Sequence, residues 1–417
     1  MRDTFWKSLG PGLIWAAAAI GVSHLVQSTR AGASYGLALV WAVIIANLFK
    51  YPFFEFGPRY AAATGESLVE GYQRLGKWAV VLFTVLTLST MFTIMAAVTI
   101  VTGSLSTQLF SSALSPLAYS FILLGVCILV LIPGQYPLLD RLVKIIVIIL
   151  AISSIAAVLV ALTGHREVVA GFERPALWNV AGISFLVALI GWMPSAIDIS
   201  VWHSLWTLER SKQTGYRPTV HDALVDFNIG YVGTALIALI FLALGALVMY
   251  GSGVSFSPAG GVFARQIVDL YTGTLGEWSR PVIVVAAFTT MFSTTLTCMD
   301  AFPRVLSRLT SSLLPDMSKS QRAGRNLYWG WMVIAAGGAL LLLTVLKARL
   351  TMMVDIATTL SFLTAPLLGY LNYRVVTGSS MPVEARPPRW LRLLSWLGIT
   401  FGVILGAVFI VWRFFLA

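Results

Sequence analysis

Two runs of the chain carry polar groups where nearly everything around them is apolar. Between Trp15 and Leu25 stand Gly21, Ser23 and His24; between Gly191 and Asp198 stand Trp192, Met193, Pro194 and Ser195. Pro194 has no N–H and crowds the turn before it, so carbonyls near Leu189 and Ile190 lose their helical partners. Freed carbonyls inside an apolar run are costly unless they face a cavity or a ligand. His24 offers a neutral imidazole ligand or a group titrating near pH ~6.5. Asp198 adds a carboxylate, and an ionisable group within an apolar span is functional by default. His203 lies more than a turn beyond it and is a weaker candidate. A third cluster, Thr289, Thr290, Ser293, Thr294, Thr295 and Thr297, gathers hydroxyls that suit a hard monovalent ion, although such hydroxyls also bond the carbonyls of their own helix. A hydrolase reading of Ser23 beside His24 is not supported, because adjacent helical residues point apart. No enzyme is expected.

These groups must be held in lipid. Of 417 residues, 58% are hydrophobic and only 11% charged, with a mean hydropathy of +0.85. This balance excludes an ordinary water-soluble domain. Windows of about 19 residues place spans at 13–33, 37–56, 78–101, 117–132 and 142–162, then at 180–205, 229–250, 282–301, 327–346 and 353–373, with an eleventh at 394–412. The first span is read as a retained helix, since glycine and polar residues break what would be a signal peptide's apolar core. Between 251 and 280, Phe263, Ile267, Leu270 and Tyr271 recur at helical spacing and predict a short surface helix. Cys127 and Cys298 sit in apolar runs and support neither a disulfide nor a zinc site.

If successive spans alternate sides, 20 of the 28 Lys and Arg, Lys50 among them, fall on the N-terminal side of the membrane. The net charge of +11 is therefore read as positive-inside topology, not as nucleic-acid binding. The breaks in spans one and six open two blocks of five spans. Five is odd, so the blocks have opposite orientations, as in an inverted repeat with its substrate site between the discontinuous helices. The expected division is 1–163 for the first repeat, 164–178 for a loop, 179–376 for the second repeat, and 377–417 for a linker and the eleventh helix.

Gly10-Pro11-Gly12 opens the first span, and Ala31-Gly32 with Tyr35-Gly36 closes it; Ala63-Thr64-Gly65-Glu66 follows the second, and Met193-Pro194 breaks the sixth. With the helix count, these pieces resemble the LeuT-type fold and, within it, the NRAMP (natural resistance-associated macrophage protein) divalent-metal transporters. The resemblance implies an all-α polytopic membrane protein with a 5+5 inverted repeat and an eleventh transmembrane helix. The family's first break carries Asp-Pro-Gly-Asn, whose Asp and Asn ligate the metal. Here it aligns with Gly21-Val22-Ser23-His24, without the carboxylate. The family's Met-Pro-His aligns with Met193-Pro194-Ser195, the Met being a soft thioether ligand. The acidic and basic residues that form the family's proton path in the third and ninth helices have no counterpart in 78–101 or 327–346.

The expectation that follows is an NRAMP-like secondary transporter moving a cation, a divalent metal above all, by alternating access. Its substrate site would comprise Gly21, Ser23, His24, Met193, Ser195 and Asp198, with His24, Met193 and Asp198 as metal ligands. The alternative is a sodium-coupled symporter of a small organic solute such as an amino acid, with sodium at Ser293 and Thr294 and Trp192 bounding the pocket. Glu55 with Arg59 and Asp300 with Arg304 are spaced to pair on one helix face, and Asp226 and Asp355 are given capping or salt-bridge roles. No cofactor is expected beyond the transported ion, and no nucleic acid. The setting is a bacterial inner membrane, N-terminus inside and C-terminus outside.

Overall fold

A computed structural model of the chain describes residues 9–110, 113–132, 136–163, 168–314, 320–347 and 349–413, and only the backbone within 136–147 and at 321. Arg2, Lys7, Arg166 and Lys319, and the side chains of Arg141 and Lys144, lie outside the described residues. Among the described residues every regular element is helical. The first span is α1 (Pro11–Ala19), a π-helical stretch (Ser23–Ser28) and α2 (Thr29–Tyr35). There follow α3 (Val40–Thr64), the short α4 (Leu68–Leu75), α5 (Lys77–Leu109), α6 (Pro116–Leu131) and α7 (Tyr136–Thr163). The sixth span is α8 (Val180–Gly191) and α9 (Ile199–Thr214). Then come α10 (Val220–Val248), α11 (Gly260–Leu275), α12 (Arg280–Leu313), α13 (Gln321–Val345), α14 (Leu350–Thr377) and α15 (Arg389–Val411).

All eleven predicted spans are thus helical, and both predicted breaks are present. Seven helical stretches among the described residues are long and apolar enough to cross a bilayer. In lipid, helices associate through close packing and polar contacts, because the surrounding tails are as apolar as the side chains. Here the two broken helices cross-pack: α1 and α2 lie against α10 of the second block, and α9 lies against α3 of the first. Trp15 anchors the first crossing, its ring 5.2 Å from Phe54, 5.7 Å from Phe227 and 5.3 Å from Tyr231. Such ring pairs contribute ~0.5–1.5 kcal/mol each beyond area burial. Helices α5 and α12 form the other long seam, where the Thr102 and Thr295 hydroxyls meet at 2.8 Å.

The predicted surface helix is α11, but its setting differs from expectation. Phe263, Ile267, Leu270 and Tyr271 are all buried against the bundle, and the Tyr271 hydroxyl lies 2.8 Å from Ser154 Oγ on α7. Its apolar face therefore closes on protein and not on lipid headgroups, because α5 and α7 present a matching surface to it.

Candidate functional site

The first break is built by both local and long-range contacts. Asp226 on α10 caps the start of α1: its carboxylate accepts from the Gly10 and Gly12 amides at 3.0 and 2.6 Å. This satisfies N–H groups that a helix start leaves orphaned. Ile20 then leaves the helix at ψ 85°. From Ser23 the turns are wide, and the hydroxyls of Ser28 and Thr29 reach back to the carbonyls of Ser23 and His24 at 3.3 and 3.4 Å. Gly21 lies at the break because a Cβ there would stand 2.8 Å from Thr294 Oγ1.

The unwound geometry overturns the expectation that Ser23 and His24 point apart. Ser23 Oγ sits 2.7 Å from His24 Nδ1 and 2.8 Å from the Ala19 carbonyl, while His24 Nε2 meets the Thr234 carbonyl of α10 at 3.0 Å. With Nε2–H donating to Thr234, Nδ1 is an acceptor, and the single Ser23 hydroxyl proton is shared between it and the Ala19 carbonyl. The imidazole is wholly buried and tethered toward α10.

At the second break, α8 ends at Gly191, the Met193–Pro194 peptide is cis, and α9 starts at Ile199. The freed carbonyls are not empty. Lys50 of α3 reaches across, and its Nζ donates to Ile190 O and Gly191 O at 2.7 Å each and lies 3.3 Å from Ser195 O. Lys50, counted among the basic residues of the N-terminal side, is buried within α3 and does not report on topology. Its sequence signal was a lone lysine inside an apolar run, between Phe49 and Tyr51. Met193 is fully buried in an apolar cluster with Ala31, Ile183 and Phe362.

Between the breaks, and closed by α5 and α12, is a narrow pocket of about 30 Å³. Ser23, Ser195, Asp198, Thr294 and Cys298 supply its polar lining, with Trp192 and Trp202 as broad apolar walls. Asp198 is 3% exposed, and neither carboxylate oxygen has a hydrogen-bond partner among the described residues. The structure therefore gathers Ser23, Ser195 and Asp198 from the predicted substrate site and Thr294 from the alternative sodium site into one pocket. Gly21 touches it through Thr294. His24, Met193 and Ser293 are not among its lining residues. His203, more than a turn further along α9, is buried with neither ring nitrogen partnered among the described residues, 5.7 Å from the Phe227 ring. Among the described residues no three His, Cys, Asp or Glu side chains converge as a metal centre.

The remaining predicted pairs are formed. Glu55 and Arg59 pair at 2.5 Å, and Arg59 also donates to Ala385 O at 2.9 Å. Asp300 accepts from Arg304 at 2.7 Å and from the Tyr328 hydroxyl at 2.7 Å. Asp355 joins α14 to the end of the first broken helix: Arg30 reaches it at 2.7 and 3.2 Å, and Gln27 bonds both Asp355 and Arg30. This latch ties the π-helical stretch and α2 to α14, so Asp355→Asn is expected to loosen them. In detergent-solubilised Cys127→Ala protein, the rate of thiol labelling at Cys298 should rise about fivefold, the factor given by losing an ion pair of ~1 kcal/mol. An unchanged labelling rate would show that the latch does not limit access.

Comparison with known proteins places this geometry. The Nramp family model, described as natural resistance-associated macrophage protein-like, matches residues 12–412. The chain belongs to the NRAMP family. It is 36% identical over 398 residues to an uncharacterised protein of Pasteurella multocida, covering 95% of this chain and 90% of that one. Among solved structures, a variant of the Eremococcus coleocola manganese transporter aligns with a TM-score of 0.72 at 13% identity, covering 99% of this chain and 89% of that one. MhsT in complex with L-phenylalanine aligns with a TM-score of 0.59 at 17% identity, covering 95% and 98%. At these identities the structures speak to fold alone, and the fold is the LeuT-type arrangement of two inverted five-helix repeats with an eleventh helix. The protein is an integral membrane protein.

Proposed function

We propose that the chain is a secondary transporter that carries a cation, a divalent metal ion in keeping with its family, by alternating access through the pocket at Asp198. The observation that carries this reading is the buried, unpartnered Asp198 carboxylate between two broken helices. A carboxylate stripped of water costs several kcal/mol unless a cation joins it. The ligands around it are hard: one carboxylate and the hydroxyls of Ser23, Ser195 and Thr294. Oxygen donors of this kind favour magnesium- or manganese-like ions over thiophilic ones. The manganese transporter named above is consistent with such a cargo. The reading rests on Asp198 and the hydroxyls, since His24 and Met193 are held elsewhere. Coupling to protons by the family's path lacks its residues. The basic-residue bias, which survives the removal of Lys50, favours an N-terminus inside a bacterial inner membrane and a C-terminus outside.

One observation favours a second reading. Thr294 shares the pocket with two tryptophan walls, a setting that would suit sodium beside a small organic solute, and the MhsT structure named above holds L-phenylalanine. Proteoliposome uptake separates the two. Manganese, magnesium and labelled amino acids are offered with and without proton and sodium gradients. Saturable divalent uptake supports the first reading; sodium-driven amino-acid uptake without divalent flux replaces it with the second. Cargo in the pocket is further expected to slow alkylation of Cys298 about tenfold at saturation, by holding the occluded state. No protection by any offered solute would remove the pocket from the transport path.

A further inference from the structure

Lys50 does more than repair a broken helix. Its side chain is 6% exposed, and its ammonium has three N–H groups directed at three carbonyls, those of Ile190, Gly191 and Ser195. The rest of its surroundings are apolar, with Phe49, Phe53, Ile197 and Phe401 lining the same space. Among the described residues no carboxylate pairs with it. A buried ammonium without a counter-ion must draw its compensation from dipoles, and here these are the C-terminal end of α8 and the peptide groups bared by Pro194. In transporters built from broken helices, this same combination of half-helix C-terminus and unwound carbonyls coordinates a bound monovalent cation.

We propose that Lys50 is a tethered cation that occupies the monovalent-ion position of the second break, so that α8 and α9 are held in register without any ion bound there. Two consequences follow. The sixth span does not require sodium or potassium to keep its shape. Any coupling ion must bind on the other side of the break, where Asp198 and Thr294 stand. The position of Lys50 on α3 also ties the break to the first repeat, because its backbone and its three acceptors belong to different halves of the molecule. The proposal concerns the resting architecture and does not depend on what the pocket carries.

The test uses the purified full chain in detergent, with its unfolding temperature followed by tryptophan fluorescence. Sodium, potassium and ammonium chlorides are compared with N-methyl-D-glucamine chloride at equal ionic strength. Wild-type protein is expected to unfold at the same temperature in all four. Lys50→Met empties the ion position and leaves its length filled. It is expected to unfold at least about 3 °C lower in N-methyl-D-glucamine and to regain that loss, saturably, in ammonium or one of the alkali salts. Lys50→Arg keeps the charge and should show no ion preference. If Lys50→Met does not accumulate, Lys50→Gln, which keeps donors but no charge, takes its place with the same expected ion dependence. A neutral variant indifferent to cation identity overturns the proposal, as does wild-type protein that is itself stabilised by one of these ions.

Discussion

Asp198→Asn is expected to abolish saturable cation binding while raising the unfolding temperature of the cargo-free protein. The two effects share one cause. The carboxylate is buried, and neither oxygen accepts a hydrogen bond from a described residue. Its negative charge therefore has no protein partner to offset its dehydration. An amide of the same shape removes that charge and its cost. The same substitution takes the only carboxylate from the pocket lining, leaving hydroxyls and a thiol to compensate a dehydrated cation. A loss of affinity of at least ~100-fold, or ~2.8 kcal/mol, is the scale expected for removing the charged ligand. Titration calorimetry with the cation identified by flux, run beside thermal unfolding of the cargo-free variant, checks both. A variant that binds as before would exclude Asp198 from the site. One that binds less and is also less stable would mean that the carboxylate has a structural partner.

The second large effect is at the crossings of the broken helices. Gly32 of α2 lies so close to α10 that a Cβ would stand 1.9 Å from the Leu242 carbonyl oxygen. On the same seam, a Cβ at Gly245 would lie 2.2 Å from the Thr29 carbonyl, and one at Gly12 would lie 2.1 Å from that of Asp226. On the other seam, a Cβ at Gly57 would lie 2.2 Å from the Ser200 carbonyl. In each case the obstacle is backbone, which cannot rotate away as a side chain can. Gly32→Ala is therefore expected to cost ~3 kcal/mol or more by forcing α2 off α10, the upper end of overpacking penalties. Gly233→Ala, on α10 with nothing within 4 Å of its Cβ, is the matched control and should be tolerated. Yield of monodisperse protein on size exclusion, together with unfolding temperature, distinguishes them. Equal behaviour of the two variants would mean that the close crossing is not what holds the first break in place.

Features governed by local sequence are legible in the sequence alone. Apolar runs located all eleven spans, and Gly21 and Pro194 located both breaks. Four-residue spacing found the Glu55–Arg59 and Asp300–Arg304 pairs, since residues on one continuous helix keep a known angular relation. The expectation that Ser23 and His24 point apart failed at the first break, where the two bond each other and His24 faces α10. At a break the helical phase is lost, so counting residues no longer tells where a side chain points. Lys50 was hidden for a related reason: its partners are backbone carbonyls, which carry no residue identity to search for.

By itself, then, the sequence determined that this is a helical membrane protein of two inverted blocks, and where each block is interrupted. Those properties follow from hydropathy and from the backbone chemistry of glycine and proline, which act within a few residues. Only the tertiary structure decided that Asp198 stands beside Ser23, Ser195 and Thr294 without a partner among the described residues, while His24 and Met193 are turned elsewhere. Residue 23 opens the π-helical stretch after α1, residue 198 is the N-cap of α9 and residue 294 lies on α12, and their meeting depends on how closely these three segments pack, which no local rule encodes.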